Sequence, residues 1–237
     1  MSELGLSLLF VTAAALANVL GGLIVVLRRE PWHPRALRAF IALGAGFMLA
    51  AAILRMGPES AKLTPSAPLL VLGGYLFVHL FEHTIAPHFH FGEETHPEIV
   101  AGKSVWAWAL LGLLLHSLFD GISIGSGFLV SPALGVLVFS AIVLHKAPEG
   151  FTIASVMMAG GASRGAALAA SAAVGFASIL GVLAVAALSG FSGAALALST
   201  GVTIYVAASD LIPEVNQEEG ATMAWLVFAG VVFFVVG

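Results

Sequence analysis

Two six-residue segments carry the side chains of this chain that are best suited to bind a metal ion. They read His-Ser-Leu-Phe-Asp-Gly at residues 116–121 and His-Lys-Ala-Pro-Glu-Gly at residues 145–150, so each has a carboxylate four residues after a His. Residues four apart on an α-helix lie one turn apart on the same face. Two neighbouring helices would therefore supply two imidazoles and two carboxylates, which suit Zn²⁺ or a similar ion. The predicted ligands are His116, Asp120, His145 and Glu149.

Both segments lie inside long apolar runs. A charged side chain in the middle of a membrane helix costs about 2.5–3.5 kcal/mol on insertion scales, so four ionisable groups at such positions indicate a function. A buried metal site is one such function, and a metal-free proton relay along the two His-carboxylate pairs is another. Pro148 removes a backbone hydrogen bond, so we expect the second helix to bend beside its ligands.

The composition assigns the chain to membrane proteins. Of its 237 residues, 59% are hydrophobic and 9% are charged, whereas a soluble domain has about 25% charged residues. A net charge of -4 leaves no basic patch for nucleic acid. The absence of Cys leaves His and carboxylates as the strong metal ligands. We expect no organic cofactor, because the sequence contains no Gly-rich phosphate-binding loop.

We predict an all-α membrane protein with eight transmembrane helices. A span needs about 20 apolar residues, and the backbone N–H and C=O groups of open strands would lack hydrogen-bond partners in lipid. The predicted spans are residues 4–27, 36–56, 68–87, 104–130, 133–158, 165–189, 191–212 and 221–237. The first is interpreted as a retained span rather than a signal peptide, since no basic region precedes it.

Lys and Arg residues are concentrated in the odd-numbered loops, which predicts that these loops are cytoplasmic and that both termini lie outside. The third loop, residues 88–103, is the longest and is either a solvated polar loop or a weak metal-collecting segment. Its candidate ligands are His88, His90, Glu93, Glu94, His96 and Glu98.

The sequence also suggests an internal repeat. When Pro58 is aligned with Pro213, the seven residues 46–52 lie opposite residues 201–207, and both stretches end a span in Pro-Glu. The same alignment sets Arg55 opposite Asp210 and Glu59 opposite Glu214. One stretch would end outside and the other inside, as expected for an inverted-topology repeat.

The two central segments resemble the fourth- and fifth-span signatures of the ZIP (Zrt-, Irt-like protein) metal transporters. The motif His-Lys-Ala-Pro at residues 145–148 is similar to that of the ZIP9-like branch. The likeness continues in the second span up to Pro58, in the third from Gly73, and in the seventh around residues 209–214. It implies a 3+2+3 arrangement, a homodimer, and an inner bundle that slides against an outer one to carry metal into the cytoplasm.

Residue by residue, the resemblance implies that the four predicted ligands line the main transport site and that Met48 occupies a position where some members offer a further ligand. Two positions depart from the family pattern. Many members have Asn after the first His and an acidic residue after the second, which creates a second metal position; here these residues are Ser117 and Lys146. We predict that the Lys146 ammonium replaces the second cation and pairs with Asp120 or Glu149, unless it extends toward the membrane interface instead.

Further polar residues could line the path of the ion. His79, Glu82 and His83 have helical spacing near the cytoplasmic end of the third span, and with Asp210 and Glu214 they form either a release route or a polar helix end. On the opposite side, many ZIP proteins carry His where this chain has Arg55, which serves as a gate or as a surface anchor.

The sequence therefore predicts a transporter of divalent transition metal ions in the plasma (inner) membrane, with alternating access. Zn²⁺ is the leading substrate, and Cd²⁺, Fe²⁺, Mn²⁺ and Co²⁺ share its ligand preferences. Two alternatives remain: an intramembrane hydrolase with Glu149 as base, although its His-Glu-x-x-His signature is absent, and a receptor that binds metal without transport.

Overall fold

The computed structural model describes residues 2–27, 34–84 and 103–236, which form helices joined by short turns. The α-helices are α1 (Glu3–Leu27), α2 (Pro34–Ala51), α3 (Gly57–Leu63), α4 (Ala67–Thr84), α5 (Lys103–Val130), α6 (Pro132–Ala159), α7 (Arg164–Ala187), α8 (Ser192–Tyr205), α9 (Ile212–Val215) and α10 (Thr222–Val236). The predicted all-α architecture is confirmed for these residues. The predicted His-containing loop lies outside the described residues except for its last position.

Among the described residues, six helical stretches are long and apolar enough to cross a membrane. They are Glu3–Leu27, Arg38–Leu63, Trp106–Val130, Pro132–Ala159, Arg164–Ala187 and Ser192–Val215. The helices of the third and eighth predicted spans differ from these six. Helix α4 ends in a polar turn, and α10 has 15 residues, which reach about 22 Å at 1.5 Å per residue. The count of eight spans therefore stays a prediction.

The second and seventh spans each contain a wide π-helical turn before a Pro. In the second span it covers Ala52–Met56, where Gly57 N–H bonds to Ala52 O, and in the seventh it covers Val206–Leu211, where Ile212 N–H bonds to Ala207 O. A π turn inserts one extra residue, which makes room for the following Pro ring. The second span therefore continues to Leu63, beyond the end predicted at residue 56.

The spanning helices form two bundles. Helices α1, α5, α6 and α7 pack against one another and form what we call the site bundle, whereas α2, α4, α8 and α10 form a scaffold bundle. The two bundles meet where α2 lies against α6 and where α5 lies against α8. Both repeated His segments lie in the site bundle.

A pseudo-twofold relation exchanges the two halves of the molecule. A methyl group at Gly21 of α1 would overlap the α6 backbone at Ala147, and one at Gly181 of α7 would overlap the α5 backbone at Leu118. Ala147 and Leu118 are both the third residue of a repeated His segment. The scaffold bundle pairs its helices in the same way, since α4 packs on α8 as α10 packs on α2. The relation agrees with the repeat inferred from sequence, and it pairs α5 with α6.

A single residue, Ser131, separates α5 from α6. Its side chain accepts a hydrogen bond from Leu134 N–H and caps α6, and Pro132 follows in the first turn, where a missing N–H has no cost. The tight turn makes α5 and α6 an antiparallel hairpin. Helix α6 then continues without a break through Pro148 to Ala159.

Candidate metal centre

The hairpin brings the two His residues of the repeated segments to the same height. His116 lies fifteen residues before Ser131 and His145 lies fourteen residues after it. Because the helices run in opposite directions, the two carboxylates lie on opposite sides of the His pair. Asp120 is eleven residues from the turn and Glu149 eighteen, an offset of about 10 Å along the axis at 1.5 Å per residue.

Three side chains converge into a compact triangle of ligand atoms. Nε2 of His116 lies 3.3 Å from Nε2 of His145. Oδ2 of Asp120 lies 3.3 Å from Nε2 of His116 and 3.1 Å from Nε2 of His145. All three residues are at most 5% exposed. Within the described ranges, they form the one group of three or more His, Asp or Glu side chains close enough to hold a metal ion.

The dimensions of this triangle fit one face of a tetrahedral metal site. Zn²⁺ binds His nitrogen and carboxylate oxygen at about 2.0–2.2 Å. The edge of a regular tetrahedron is about 1.6 times the distance from its centre to a corner, so neighbouring ligand atoms should be separated by about 3.3–3.5 Å. The observed sides of 3.1–3.3 Å place the three atoms close to the positions that such an ion requires.

Glu149, the fourth predicted ligand, lies outside this triangle. Its Oε1 accepts a hydrogen bond from Ser117 Oγ at 2.9 Å. Its Oε2 accepts bonds from Lys146 Nζ at 2.6 Å and from Asn18 Nδ2 at 2.9 Å. The structure therefore brings Asp120 together with both His residues, whereas it holds Glu149 against a separate set of donors.

Lys146 connects the triangle to Glu149. Its side chain is fully buried, and Nζ lies 2.7 Å from Asp120 Oδ2 and 2.6 Å from Glu149 Oε2. It also donates to Ser117 Oγ. Within the bundle interior, charged hydrogen bonds of this kind are strong, and the ammonium balances one of the two carboxylates. The alternative in which Lys146 extends toward the membrane interface does not describe this arrangement.

Asn18 is the contact that sequence reasoning missed. It lies in α1 and is 0% exposed, and it is the only Asn within a predicted span. A polar side chain in the middle of an apolar span predicts a buried partner, so this signal was available. Nothing in the sequence indicated that the partner would be Glu149.

The Gly that ends each repeated segment permits a close approach of a neighbouring helix. A methyl group at Gly121 would overlap the backbone carbonyl of Ser178 in α7, and one at Gly150 would overlap that of Asn18 in α1. Absence of a side chain at these positions lets α7 and α1 pack directly on α5 and α6. This packing places Asn18 beside Glu149.

Other candidates from the sequence lie away from the triangle. Met48 is buried among apolar side chains that include Phe47, Val78 and Ala141. Glu59 forms a surface ion pair with Lys62 at 2.7 Å. Arg55 is exposed.

The candidates in the third span do not share one face of α4. The exposed rings of His79 and His83 stack with centroids 4.2 Å apart. Glu82 points into the scaffold bundle, is 0% exposed, and accepts a hydrogen bond from Tyr205 Oη at 2.9 Å. Its carboxyl group also contacts Asp210. Both His residues therefore lie on the exposed side of α4, and the His79 ring packs edge-on against Tyr205, which bonds the buried Glu82.

The scaffold bundle therefore has a polar network of its own. Beside the acidic pair, Tyr75 Oη and Ser209 Oγ are hydrogen-bonded at 3.0 Å. Glu214 is 2% exposed and accepts a bond from Gln217. Tyr75, Glu82, Ser209 and Asp210 lie where α4 meets the wide turn of the seventh span, in a different bundle from the metal-ligand triangle.

Comparison with known proteins finds one matching family and several relatives of this chain. Residues 90–237 match the family described as ZIP zinc transporter. The chain is 31% identical to zinc transporter ZIP9 of Xenopus tropicalis over 159 residues, which cover 62% of this chain and 52% of that protein. It is 32% identical to zinc transporter ZIP9-A of Xenopus laevis with the same coverage, and 32% identical to zinc transporter ZIP9 of Micropogonias undulatus over 62% of this chain and 50% of that protein. The chain spans about half the length of these relatives.

Proposed function

Because the chain belongs to the ZIP zinc transporter family, as the match over residues 90–237 shows, we propose that it transports divalent transition metal ions, with Zn²⁺ as the principal substrate. The observation that carries this proposal is the buried triangle of His116, Asp120 and His145, whose sides of 3.1–3.3 Å suit a tetrahedral ion. Cd²⁺, Fe²⁺, Mn²⁺ and Co²⁺ remain further substrates, because imidazole and carboxylate bind all of them.

We propose that the site holds one ion and that Lys146 takes the place of a second. The ammonium contacts Asp120, Glu149 and Ser117, and it is positioned as a second cation would be. Asp120 is then shared between the ion and Lys146. Glu149 is the predicted fourth ligand, and it would reach the ion only by exchanging its present donors, Lys146, Ser117 and Asn18, for the metal.

The site bundle carries the ion as a unit. The side-chain hydrogen bonds described above for the triangle, Lys146 and Glu149 fall within α1, α5 and α6, so these helices can move against the scaffold bundle without breaking any of them. At the border of the two bundles, a methyl group at Gly44 of α2 would make only ordinary contacts with Leu144 and His145. Such sliding gives alternating access to the site, with the ion stripped of water inside the bundle.

The remaining features follow from the resemblance and from the distribution of basic residues. We propose uptake into the cytoplasm across the plasma (inner) membrane, both termini outside, and a homodimer. Glu82, Asp210 and Glu214 in the scaffold bundle are the candidates for a release route, and His79 and His83 lie on the exposed side of α4 beside it. No step of the transport cycle depends on an organic cofactor.

Membership in a transporter family counts against an intramembrane hydrolase, although Zn²⁺ between two imidazoles and a carboxylate could activate water. A receptor that binds metal without moving it uses the same triangle. Transport and binding must therefore be measured separately on the same preparation.

The proposal is tested by loading proteoliposomes with a Zn²⁺ indicator and measuring uptake for the wild type and for His145→Ala. We expect wild-type uptake, and we expect loss of the ligand to weaken Zn²⁺ binding by more than about 100-fold, since even losing a group that hydrogen-bonds a metal ligand weakens binding about 10- to 100-fold. Ser140→Ala is the matched control, because Ser140 lies on α6 and, among the described residues, its hydroxyl donates to Val136 O of the same helix.

Equilibrium dialysis of the same proteins decides between the alternatives. Binding together with uptake, both lost in His145→Ala, supports the transporter. Binding without uptake assigns a receptor. Uptake that is unchanged in His145→Ala contradicts the assignment of the triangle as the transport site.

A further inference from the structure

We propose that Asn18 is a positioning residue that sets the ion selectivity of the central site by holding Glu149 away from the ligand triangle. This inference rests on the proposed function, because it concerns the same metal site. In chemical terms, Asn18 limits the number of carboxylates that bind the ion.

The contact between Asn18 and Glu149 joins two helices through a fully buried amide. Asn18 Nδ2 donates to Glu149 Oε2 at 2.9 Å, and Asn18 is 0% exposed. An amide donor buried without a partner would cost free energy, so α1 and α6 are committed to this bond once they pack together. Asn18 therefore acts on the site through Glu149 and does not itself contact the triangle.

Glu149 is held by three donors that together occupy both carboxylate oxygens. Ser117 bonds Oε1, whereas Lys146 and Asn18 bond Oε2. To join the ion, Glu149 must give up donors from this set. Lys146 can follow the carboxylate because its side chain is long and flexible, whereas Asn18 is short and is attached to a different helix.

The backbone fixes the position of Asn18. Gly150, the residue after Glu149, lies so close to α1 that a methyl group there would overlap the carbonyl oxygen of Asn18. Its nearest side-chain contact would be Asn18 Oδ1. The amide therefore cannot move outward from α6 unless α1 and α6 separate.

The pseudo-equivalent position in the other half has no such donor. Ser178 of α7 lies against Gly121 as Asn18 lies against Gly150. The buried Ser178 hydroxyl has no hydrogen-bond partner among the described residues, and the neighbouring carboxylate, Asp120, belongs to the triangle. Glu149, whose neighbouring helix supplies an amide donor, lies outside the triangle, whereas Asp120, whose neighbouring helix supplies none, lies in it.

Selectivity follows from ligand chemistry. A site of two imidazoles and one carboxylate suits Zn²⁺, and each added carboxylate makes it better suited to Mn²⁺, which prefers oxygen ligands. Removing the Asn18 amide releases Glu149 toward the ion. A hydrogen bond to a charged group is lost in this step, so we expect the affinity for Mn²⁺ relative to Zn²⁺ to rise by roughly tenfold or more.

The test measures equilibrium binding of radioactive Zn²⁺ and Mn²⁺ to the full purified chain in lipid nanodiscs. Asn18→Ala and Asn18→Leu both remove the donor, and Leu keeps the side-chain volume if Ala disturbs packing. Both should raise the ratio of Mn²⁺ to Zn²⁺ affinity, whereas the matched control Ser178→Ala should leave it unchanged. A ratio that is unchanged in the two Asn18 variants overturns the inference.

A double-mutant cycle with Glu149→Gln separates positioning from general damage. If Asn18 acts through Glu149, Asn18→Leu should not change the ratio further in the Glu149→Gln background. An equal change in both backgrounds overturns the proposal. Wild-type protein that binds no Zn²⁺, or binds it equally well after His116→Ala, overturns the proposed function itself, which distinguishes that failure from an unchanged ratio.

Discussion

The two halves of the central site share a backbone and differ in chemistry. Each half places a His, a carboxylate one turn later and a Gly on a helix that a third helix approaches closely. On α5, the carboxylate joins both imidazoles in the ligand triangle. On α6, the carboxylate is held by Lys146, Ser117 and Asn18.

The difference shows how a symmetric scaffold can support an asymmetric site. The close Gly contacts bring the helices equally near in both halves, so helix spacing does not explain why only Asp120 joins the triangle. The two halves differ instead at two pairs of pseudo-equivalent side chains, Ser117 against Lys146 and Ser178 against Asn18. The α5 half contributes His116 and Asp120 to the triangle, whereas the α6 half contributes His145 together with a buried cation, Lys146, and its counterion Glu149.

Replacing Lys146 should have the largest effect, because Lys146 bonds the carboxylates of both halves. Lys146→Met leaves Asp120 and Glu149 buried without their shared cation, and removing one partner of a buried ion pair costs about 3–5 kcal/mol. We expect a corresponding loss of unfolding free energy, measured by denaturation in detergent, with Val143→Met as the control on the same helix. Stability equal to that of the wild type would show that the two carboxylates do not depend on the ammonium.

The companion variant Lys146→Glu tests whether the ammonium replaces an ion. It restores an acidic residue where many ZIP proteins carry one, so we expect two tightly bound Zn²⁺ per chain where the wild type binds one and Lys146→Met binds no second ion. Metal analysis after dialysis measures the stoichiometry. A wild type with two ions, or a Glu variant with one, would contradict the exchange of cation for metal.

Substituting Gly121 and Gly150 tests whether the two halves are packed alike. Gly121→Ala and Gly150→Ala each force a methyl group against a backbone carbonyl of the neighbouring helix, and overpacking of this kind costs about 1–3 kcal/mol. We expect similar losses of thermal stability in the two variants. Only Gly150→Ala should also alter metal selectivity, because only that contact positions Asn18.

Gly165→Ala provides a matched control, since a methyl group there would meet no atom within 4 Å. A large loss at one of the two site positions and none at the other would mean that the halves are not packed alike.

A substitution in an ion-pair cluster outside both halves should have the smallest effect on stability and should leave metal affinity unchanged. Glu218, in the turn before α10, bonds Arg35 at 2.7 Å and Arg38 at 2.6 Å. Hydrogen bonds from Arg35 and Arg38 hold the pKa of the Glu218 carboxyl below its usual range. Its contribution to stability is therefore present above the unfolded-state pKa and is lost as pH falls through the lower folded-state value.

We expect Glu218→Gln to lower the melting temperature slightly at neutral pH and to leave it unchanged at a pH below the folded-state pKa. Metal affinity at neutral pH should stay at the wild-type value. A change in affinity would show that the central halves respond to distant charge and would weaken the contrast drawn between them.

Much of this organisation could be predicted from the sequence. Spacing of four residues indicated that His116 pairs with Asp120 on one helix, and burial of four ionisable groups in apolar runs indicated a functional site. The alignment of Pro58 with Pro213 indicated a repeat, and the structure has a matching wide turn before each of these residues. Those features depend on local helix geometry, which sequence periodicity determines directly.

Contacts between helices could not be predicted in the same way. Helical spacing suggested that His79, Glu82 and His83 act together, yet α4 turns Glu82 into the scaffold bundle and leaves both His residues exposed. A spacing of three or four residues covers a wide arc of a helix, so the direction of the neighbouring helix decides which members are buried. The sequence of α4 alone does not contain that direction.

The sequence by itself determined a helical membrane protein with two His-carboxylate pairs and one unusual Lys between them. Only the tertiary structure decided which carboxylate completes the ligand triangle and that Asn18 holds the other. The physical reason is the antiparallel α5–α6 hairpin. Its short turn aligns the two His residues at one height and places the carboxylates on opposite sides of them, and the approach of α1 at Gly150 supplies the remaining donor.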